Sequence, residues 1–345
     1  EEDLSQIEDT ATRLLEEIGV RLEHAGARDM LHGLGCHTAG HRTHIPRHVV
    51  AWALETVTPH TDFYNVDGSY AFSVDDDSFR FHNSGGLPFI LDLDTGQRRP
   101  ATRQDIADMS RLLDALPNVD IVVPMYSVQD VPEELLAVAS TDAMLRHMRK
   151  PFSTFAIDRP QDVAYVVEMA AACCGGMDVF RARPTMYISV SPVSPLRFTE
   201  PIAETIIAVA RAGVPLNPLP APSLGATSPI TMAGALAQQH AEILASFVIA
   251  AAARPGVSVT YCSRLSPIDL RSAVSSWGGP EVGITGACAG QLARRIGLPC
   301  DAYGFATSAC RLDAQAAYER LANAMLPALG GVDILSVVAS VESLL

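Results

Sequence analysis

Metal binding, nucleophilic attack and acid–base work each need particular side chains at particular spacings, and most reactive residues of this chain do not meet them. His24, His32, His37, His41, His44 and His48 recur near the N-terminus, but they spread over a helix, a loop and another helix and read as solvated histidines. Cys173 and Cys174 close a helical pattern without a third ligand nearby, which sets aside a thiolate-held zinc. Asp75, Asp76 and Asp77 lack the ligand spacing of a calcium loop. What remains gathers at the ends of apolar runs. His82 could bind a carboxylate there, or work as acid and base with a carboxylate such as Asp269. In the run 184–191, Thr185, Tyr187, Ser189 and Ser191 share one face; in 257–263, Ser258, Thr260 and Cys262 do. Asn217, set between prolines, could hydrogen-bond a ligand or its own turn.

The elements that must position these residues alternate regularly. Apolar runs at 79–85, 119–126, 151–156, 184–191, 214–220, 257–263, 300–306 and 332–339 make eight strand candidates. Between them lie helical segments with start signals: Thr102 with Asp105 as a capping box, Asp130 with Pro132, Asp158 with Pro160, Thr199 with Pro201, Ser228 with Pro229, Gly279-Pro280-Glu281, and Asp313. The runs are too apolar for a sheet with one wet face, so the expected fold is α/β, a closed parallel (β/α)₈ TIM barrel, with a doubly wound open sheet as the alternative. No Gly-x-Gly-x-x-Gly follows the first strand and there is no P-loop, so the nucleotide-binding version of that alternative lacks its phosphate cradle. Before the barrel, amphipathic helices over 3–19, 25–34 and 47–57 and a hairpin over 64–81 form a small N-terminal appendage. The domain expectation is an appendage over 1–75 and a barrel over 76–345. About six residues follow the eighth strand, too few for a covering helix, so the last barrel helix is expected to be missing.

The longest helical pattern follows the loop 218–228 and runs from Ile230 to Ala253, small and apolar except for a polar middle at Gln238, Gln239, His240 and Glu242. That middle would lie near a bilayer centre, where such groups are costly, so the helix reads as packed inside a soluble protein. Gln238 and Glu242 sit far from the strand ends, which makes the helix a wall and leaves the loop before it, with Gly225, as the candidate site.

The 345 residues are 48% hydrophobic and only 19% charged, enough to bury a large core. Lys and Arg number 25 against 39 Asp and Glu, a net charge of -14, with no basic cluster for nucleic acid. Seven cysteines give no disulfide framework, and the acidic start lacks the form of a signal peptide, so a cytoplasmic, non-membrane protein is expected. A homo-oligomer is the expected assembly.

Four blocks carry a family likeness: NSGGLPFILDLDTGQRRPATRQDIADMSRLLDAL, GATSPITMAGALAQQHAEILA, SSWGGPEVGITGACAGQLARRIGLP and LDAQAAYERLANAMLPALGGVDIL. Together, in this order, they resemble the trimethylamine methyltransferase family, and the likeness runs from the first helix to the last residue. It implies a (β/α)₈ barrel that moves a methyl group from a methylated amine to the cobalt of a corrinoid (cobalamin) carried by a separate protein, with no cofactor bound permanently. The founding branch carries pyrrolysine at the end of the seventh strand, and in GFATSACRLDAQAAYE the matching position is Ala306. The chain is therefore more similar to the branch without pyrrolysine, which demethylates quaternary amines such as glycine betaine.

That chemistry asks the protein to hold a trimethylammonium group, aim one methyl and exclude water, with no general acid required. Aromatic faces do the holding, at about 0.5 to 2 kcal/mol each. Barrel sites sit at the C-terminal ends of strands, so the candidate substrate-binding residues are His82, Tyr126, Phe155, Tyr187, Ser189, Asn217, Tyr261, Cys262, Trp277, Phe305 and Ala306. The alternatives are a barrel lyase or hydrolase built on His82, and a betaine-binding protein without turnover.

Overall fold

The computed structural model describes every residue apart from 76, 77, 155, 156, 158 and 339–345, and apart from the side chains of 337 and 338. Three N-terminal helices, α1 (Glu2–Arg13), α2 (Ala25–His32) and α3 (Arg47–Thr56), form where the apolar spacing placed them. The first continues through one π-helical turn, Leu14–Ile18, and stops at Gly19, whose φ of 73° suits glycine. A hairpin of Asp62–Tyr64 with Tyr70–Ser73 follows, shorter than expected and turned at Gly68. Its Phe63, with Val74, packs on Ile121, Tyr187 and Ile334, so the hairpin forms the floor of the strand assembly.

Eight segments run parallel, and their contacts return to the start. Arg80–Asn83 meets the next segment through a bridge from His82 to Ile121, and Val122 bridges to Phe152. Phe152–Ser153 pairs with Met186–Val190, which pairs with Leu216–Pro218. Leu216 pairs with Val259, Tyr261–Ser263 with Cys300–Tyr303, and Cys300–Tyr303 with Ile334–Val338. Ile334–Val338 then pairs with Arg80–Asn83, joining Ile334 to Arg80 and Leu335 to Phe81. The expected strand at 119–126 is reduced to bridges because side chains do the pairing. The Asp120 carboxylate accepts from the Phe81 N–H at 2.8 Å, and the Asn83 amide both accepts from the N–H and donates to the carbonyl of Val123, at 2.8 and 2.7 Å.

Helices α4 (Arg103–Ala115), α5 (Leu136–Leu145), α6 (Pro160–Cys174), α7 (Met177–Ala182), α8 (Glu200–Ala212), α9 (Met232–Ala253), α10 (Pro280–Arg295) and α11 (Ala314–Gly330) lie between the strands. The Thr102–Asp105 capping box forms, Thr199 and Gly279 hold N-cap positions, and the Asp313 side chain accepts from the Ala316 N–H. The start of α9 differs from the sequence expectation. Ser228 and Pro229 do not begin it; Thr231 is its N-cap, because the Ala226, Thr227 and Ser228 N–H groups all donate to the Ser223 carbonyl and close a separate turn. Although α9 is long and apolar enough to cross a membrane, it lies in the core, with the N-terminal helices packed against it.

Close packing of α10 on α11 depends on glycine. A Cβ on Gly290 would stand 3.1 Å from the carbonyl of Gly330, the last residue of α11, and 2.9 Å from the side chain of Val332 just beyond it. Gly290→Val is therefore expected to destabilise the protein by about 1–3 kcal/mol, read as a lower urea midpoint at unchanged slope; an unchanged midpoint would show that the two helices can separate at no cost.

Candidate functional site

A cavity of about 350 Å³ opens among the C-terminal ends of the parallel segments. His82, Asn83 and Ser84 reach it from the first strand, Ser153 and Thr154 from the third, Tyr187 and Ser189 from the fourth, and Asp301 and Tyr303 from the seventh. Arg264 and Trp277 come from the two ends of one excursion after Tyr261–Ser263, whose middle is a hairpin of Ser266–Asp269 with Val274–Ser275.

At its floor lies a buried ion pair. Asp301 is 1% exposed and Arg264 5%. One terminal nitrogen of Arg264, Nη2, donates to Asp301 Oδ1 at 2.7 Å and faces His82 Nε2 at 3.4 Å, while Nη1 donates to the carbonyls of Ser263 and Asp301 at 2.9 and 3.2 Å. His82 Nδ1 lies 2.8 Å from the Asn83 carbonyl, an obligate acceptor, so Nδ1 carries a proton, while Nε2 stands 3.4 Å from both Asp301 Oδ1 and Arg264 Nη2. The other carboxylate oxygen of Asp301 accepts from Asn217 Nδ2 at 3.2 Å and stands 3.8 Å from the Cys262 thiol.

The electrostatics follow from these contacts. Burial pushes the Asp301 carboxyl up, but Arg264 and then His82 overcome it and hold it at about 2, so it is an anion at neutral pH. Burial drives the Cys262 thiol well above its ordinary value, against the pull of Arg264, which leaves it protonated and unreactive. Tyr303 is pushed up to about 12 by burial and Tyr187 well above 10 by burial and then by Asp301, so both phenols keep their protons. The pair cancels its own charge, leaving a neutral floor under aromatic walls. Arg264 stands 5.1 Å over the ring of Tyr303, and Trp277 meets that ring edge-on at 5.1 Å. The backbone of Trp277 is fixed by Asn323, which donates to its carbonyl at 3.1 Å and to that of Ala306 at 3.0 Å.

Of the residues singled out from sequence, His82, Tyr187, Ser189 and Trp277 line the cavity. Asn217 and Cys262 lie in the layer around Asp301. Phe155 falls outside the described residues. Tyr126, Tyr261, Phe305 and Ala306 are elsewhere. Cys262 faces the interior, so by strand alternation Tyr261 points outward, where its hydroxyl bonds His240 of α9 at 3.0 Å. Phe305 packs on Phe81 with ring centres 5.7 Å apart, Ala306 is buried beneath Asn323, and Tyr126 is bridged to Leu87. Asp269 does not meet His82; its carboxylate accepts the Arg271 N–H at the exposed hairpin turn. Arg264, Asp301 and Tyr303 were missed, although a charged residue two before a tyrosine in a buried strand marks one inward face. Among the described residues no three His, Cys, Asp or Glu side chains are placed to hold a metal ion.

Comparison with known proteins agrees with this architecture. A family model described as trimethylamine methyltransferase (MTTB) matches residues 1–341. A glycine betaine methyltransferase of Desulfitobacterium hafniense (strain Y51) is 29% identical over 336 residues, covering 96% of this chain and 69% of that protein. The trimethylamine methyltransferase MttB of D. hafniense (strain DSM 10664 / DCB-2) is 32% identical over 255 residues, 74% of this chain and 51% of that protein. The solved monomethylamine methyltransferase (MtmB) of Methanosarcina barkeri superposes with a TM-score of 0.60 over 99% of this chain and 76% of its own, at 14% identity, a likeness of fold.

Removing one partner of the floor pair strands the other charge. Arg264→Met is expected to cost about 3–5 kcal/mol, and the double variant Arg264→Met/Asp301→Asn to recover most of it. Urea unfolding measures both; equal loss in the single and double variants would contradict the pairing.

Proposed function

The chain belongs to the trimethylamine methyltransferase family, and from that premise we propose that it takes a methyl group from a quaternary or tertiary methylamine, glycine betaine being the model donor, and passes it to the Co(I) of a corrinoid carried by a separate protein. On this reading the ring of parallel segments is a (β/α)₈ barrel and the cavity at its C-terminal face is the donor site. The observation that carries it is the neutral floor beneath Tyr187, Trp277 and Tyr303, an environment suited to an ammonium that needs no counter-charge.

The reaction breaks one C–N bond and leaves its electron pair on nitrogen, while the cobalt supplies the pair for the new carbon bond. A quaternary donor departs as a neutral amine and needs no proton. This suits a site in which Asp301 is held ionised and both tyrosines keep their protons. The tasks left to the side chains are positioning and exclusion of water. Trp277 and Tyr187 offer faces to the ammonium, and Arg264, with both terminal nitrogens engaged by protein groups, fixes the floor without competing for the donor. The carboxylate named for the acid–base alternative, Asp269, is turned away from His82, whose Nε2 instead stands 3.4 Å from Asp301, a carboxylate already paired with Arg264.

Purified protein mixed with reduced corrinoid protein and a panel of betaines is expected to form methylcobalamin with at least one donor; no product across the panel would overturn the proposal. In the active combination, Trp277→Ala is expected to raise KM about tenfold, the equivalent of about 1.4 kcal/mol of cation–π attraction, with kcat changed by no more than about threefold. A fall in kcat at constant KM would place Trp277 outside donor binding.

A further inference from the structure

The polar middle of α9 does not touch the cavity, yet it reaches the loops around it, contrary to the expectation that it lies too far from the strand ends. Glu242 is fully buried. Its two carboxylate oxygens receive the Ser194 hydroxyl at 2.8 Å, the Leu196 N–H at 2.9 Å and the Gln238 amide at 3.0 Å. Gln238 also donates to the Thr227 carbonyl at 2.9 Å. One residue along, Gln239 donates to the Pro220 carbonyl at 3.1 Å and accepts from the Ser263 hydroxyl at 2.8 Å. Loops that follow the fourth, fifth and sixth strands thus hang from one helix. They belong to the cavity: Ser189 precedes the first of them, Leu219 lies in the second, and Arg264 follows Ser263. The Ser191 hydroxyl joins the first two by donating to the Leu219 carbonyl at 2.9 Å. Leu196 has a φ of 52°, a left-handed backbone that a leucine keeps only where its surroundings impose it, and its N–H is the one gripped by Glu242.

We propose that Glu242 is a positioning residue for the cavity, hanging the loops after the fourth and fifth strands from α9 by an attachment that loosens when its carboxyl ionises. The groups acting on it are the Leu196 amide and Ser194 from the loop and Gln238 from its own helix; among the described residues, no titratable group of α1, the π-helical turn Leu14–Ile18, α2, α3, α8, α10, or the segments Leu216–Pro218, Ser223–Leu224 and Tyr261–Ser263 acts on it. A proton taken from solvent is accommodated without loss of contacts. The protonated oxygen donates to Ser194, whose hydroxyl reverses, while Leu196 and Gln238 stay on the other oxygen. Burial pushes the carboxyl up to about 7, whereas a glutamate in water titrates near 4.3. The closed arrangement therefore holds the proton more tightly than an opened one. Its attachment is firmest below about 4.3 and weakens as pH rises through about 7.

Hydrogen exchange of the full chain tests this without any assay of turnover. After correction for intrinsic rates, segments 191–198 and 219–228 of the wild type are expected to exchange roughly tenfold faster at pH 8.5 than at pH 6. Glu242→Gln, close in shape to the protonated acid, is expected to stay slow at both. Ser194→Ala keeps the carboxylate but removes a bond to its ionised form, so it should keep the pH dependence and move it to higher pH. Wild-type exchange independent of pH, or a Glu242→Gln protein with the wild-type dependence, would overturn the proposal. A kinetic arm rests on the methyl-transfer reading: KM for glycine betaine should rise with pH in the wild type and stay level in Glu242→Gln, at constant kcat. Absence of turnover would defeat that reading alone and leave exchange to decide this one.

Discussion

Asp301 places a carboxylate where almost no water reaches it, and the rest of the site is arranged around that charge. An unpaired anion in such a position costs several kcal/mol, so Arg264 has to follow it inside. Once there, Arg264 spends its terminal N–H groups on Asp301 and on two backbone carbonyls, and the pair stands against His82 Nε2. Asn217 and Cys262 complete the shell from neighbouring strands. The pair thereby joins the first, fifth, sixth and seventh segments, and presents the cavity with a neutral floor.

A second buried carboxylate shows how much the partner matters. Asp301 and Glu242 are both sealed from solvent, but one faces a guanidinium and the other only neutral donors. The first is held at about 2 and stays ionised; the second is pushed up to about 7 and titrates near neutrality. The same fold therefore contains a fixed charge at the cavity floor and a variable one behind the loops. Their division of labour follows from solvation and hydrogen bonding alone.

The scaffold was legible in the sequence wherever a local signal sufficed. Thr102 with Asp105, Thr199, Gly279 and Asp313 each marked a helix start that the structure keeps. The signal failed where side chains took over backbone work. Asp120 and Asn83 replace ladder bonds in the second strand, and the turn at Ser223 delays α9 to Thr231. The site was legible by half. Inward alternation pointed to Tyr187 and Ser189, and loop position to Trp277, but searching strand tips for aromatics led to Tyr261 and Phe305, which face away. Arg264 and Asp301 explain each other only as a pair, and they are far apart in the chain. Glu242 was set aside on distance, since nothing in the sequence reveals that Ser194 and Leu196 fold back onto α9.

The proposed methyl transfer depends on where an ammonium binds. A crystal structure with bound glycine betaine is the most direct measurement. The trimethylammonium group is expected among Tyr187, Trp277 and Tyr303, above an unbroken Arg264–Asp301 pair. An ammonium bound away from these rings, or seated against Asp301 after displacing Arg264, would contradict it.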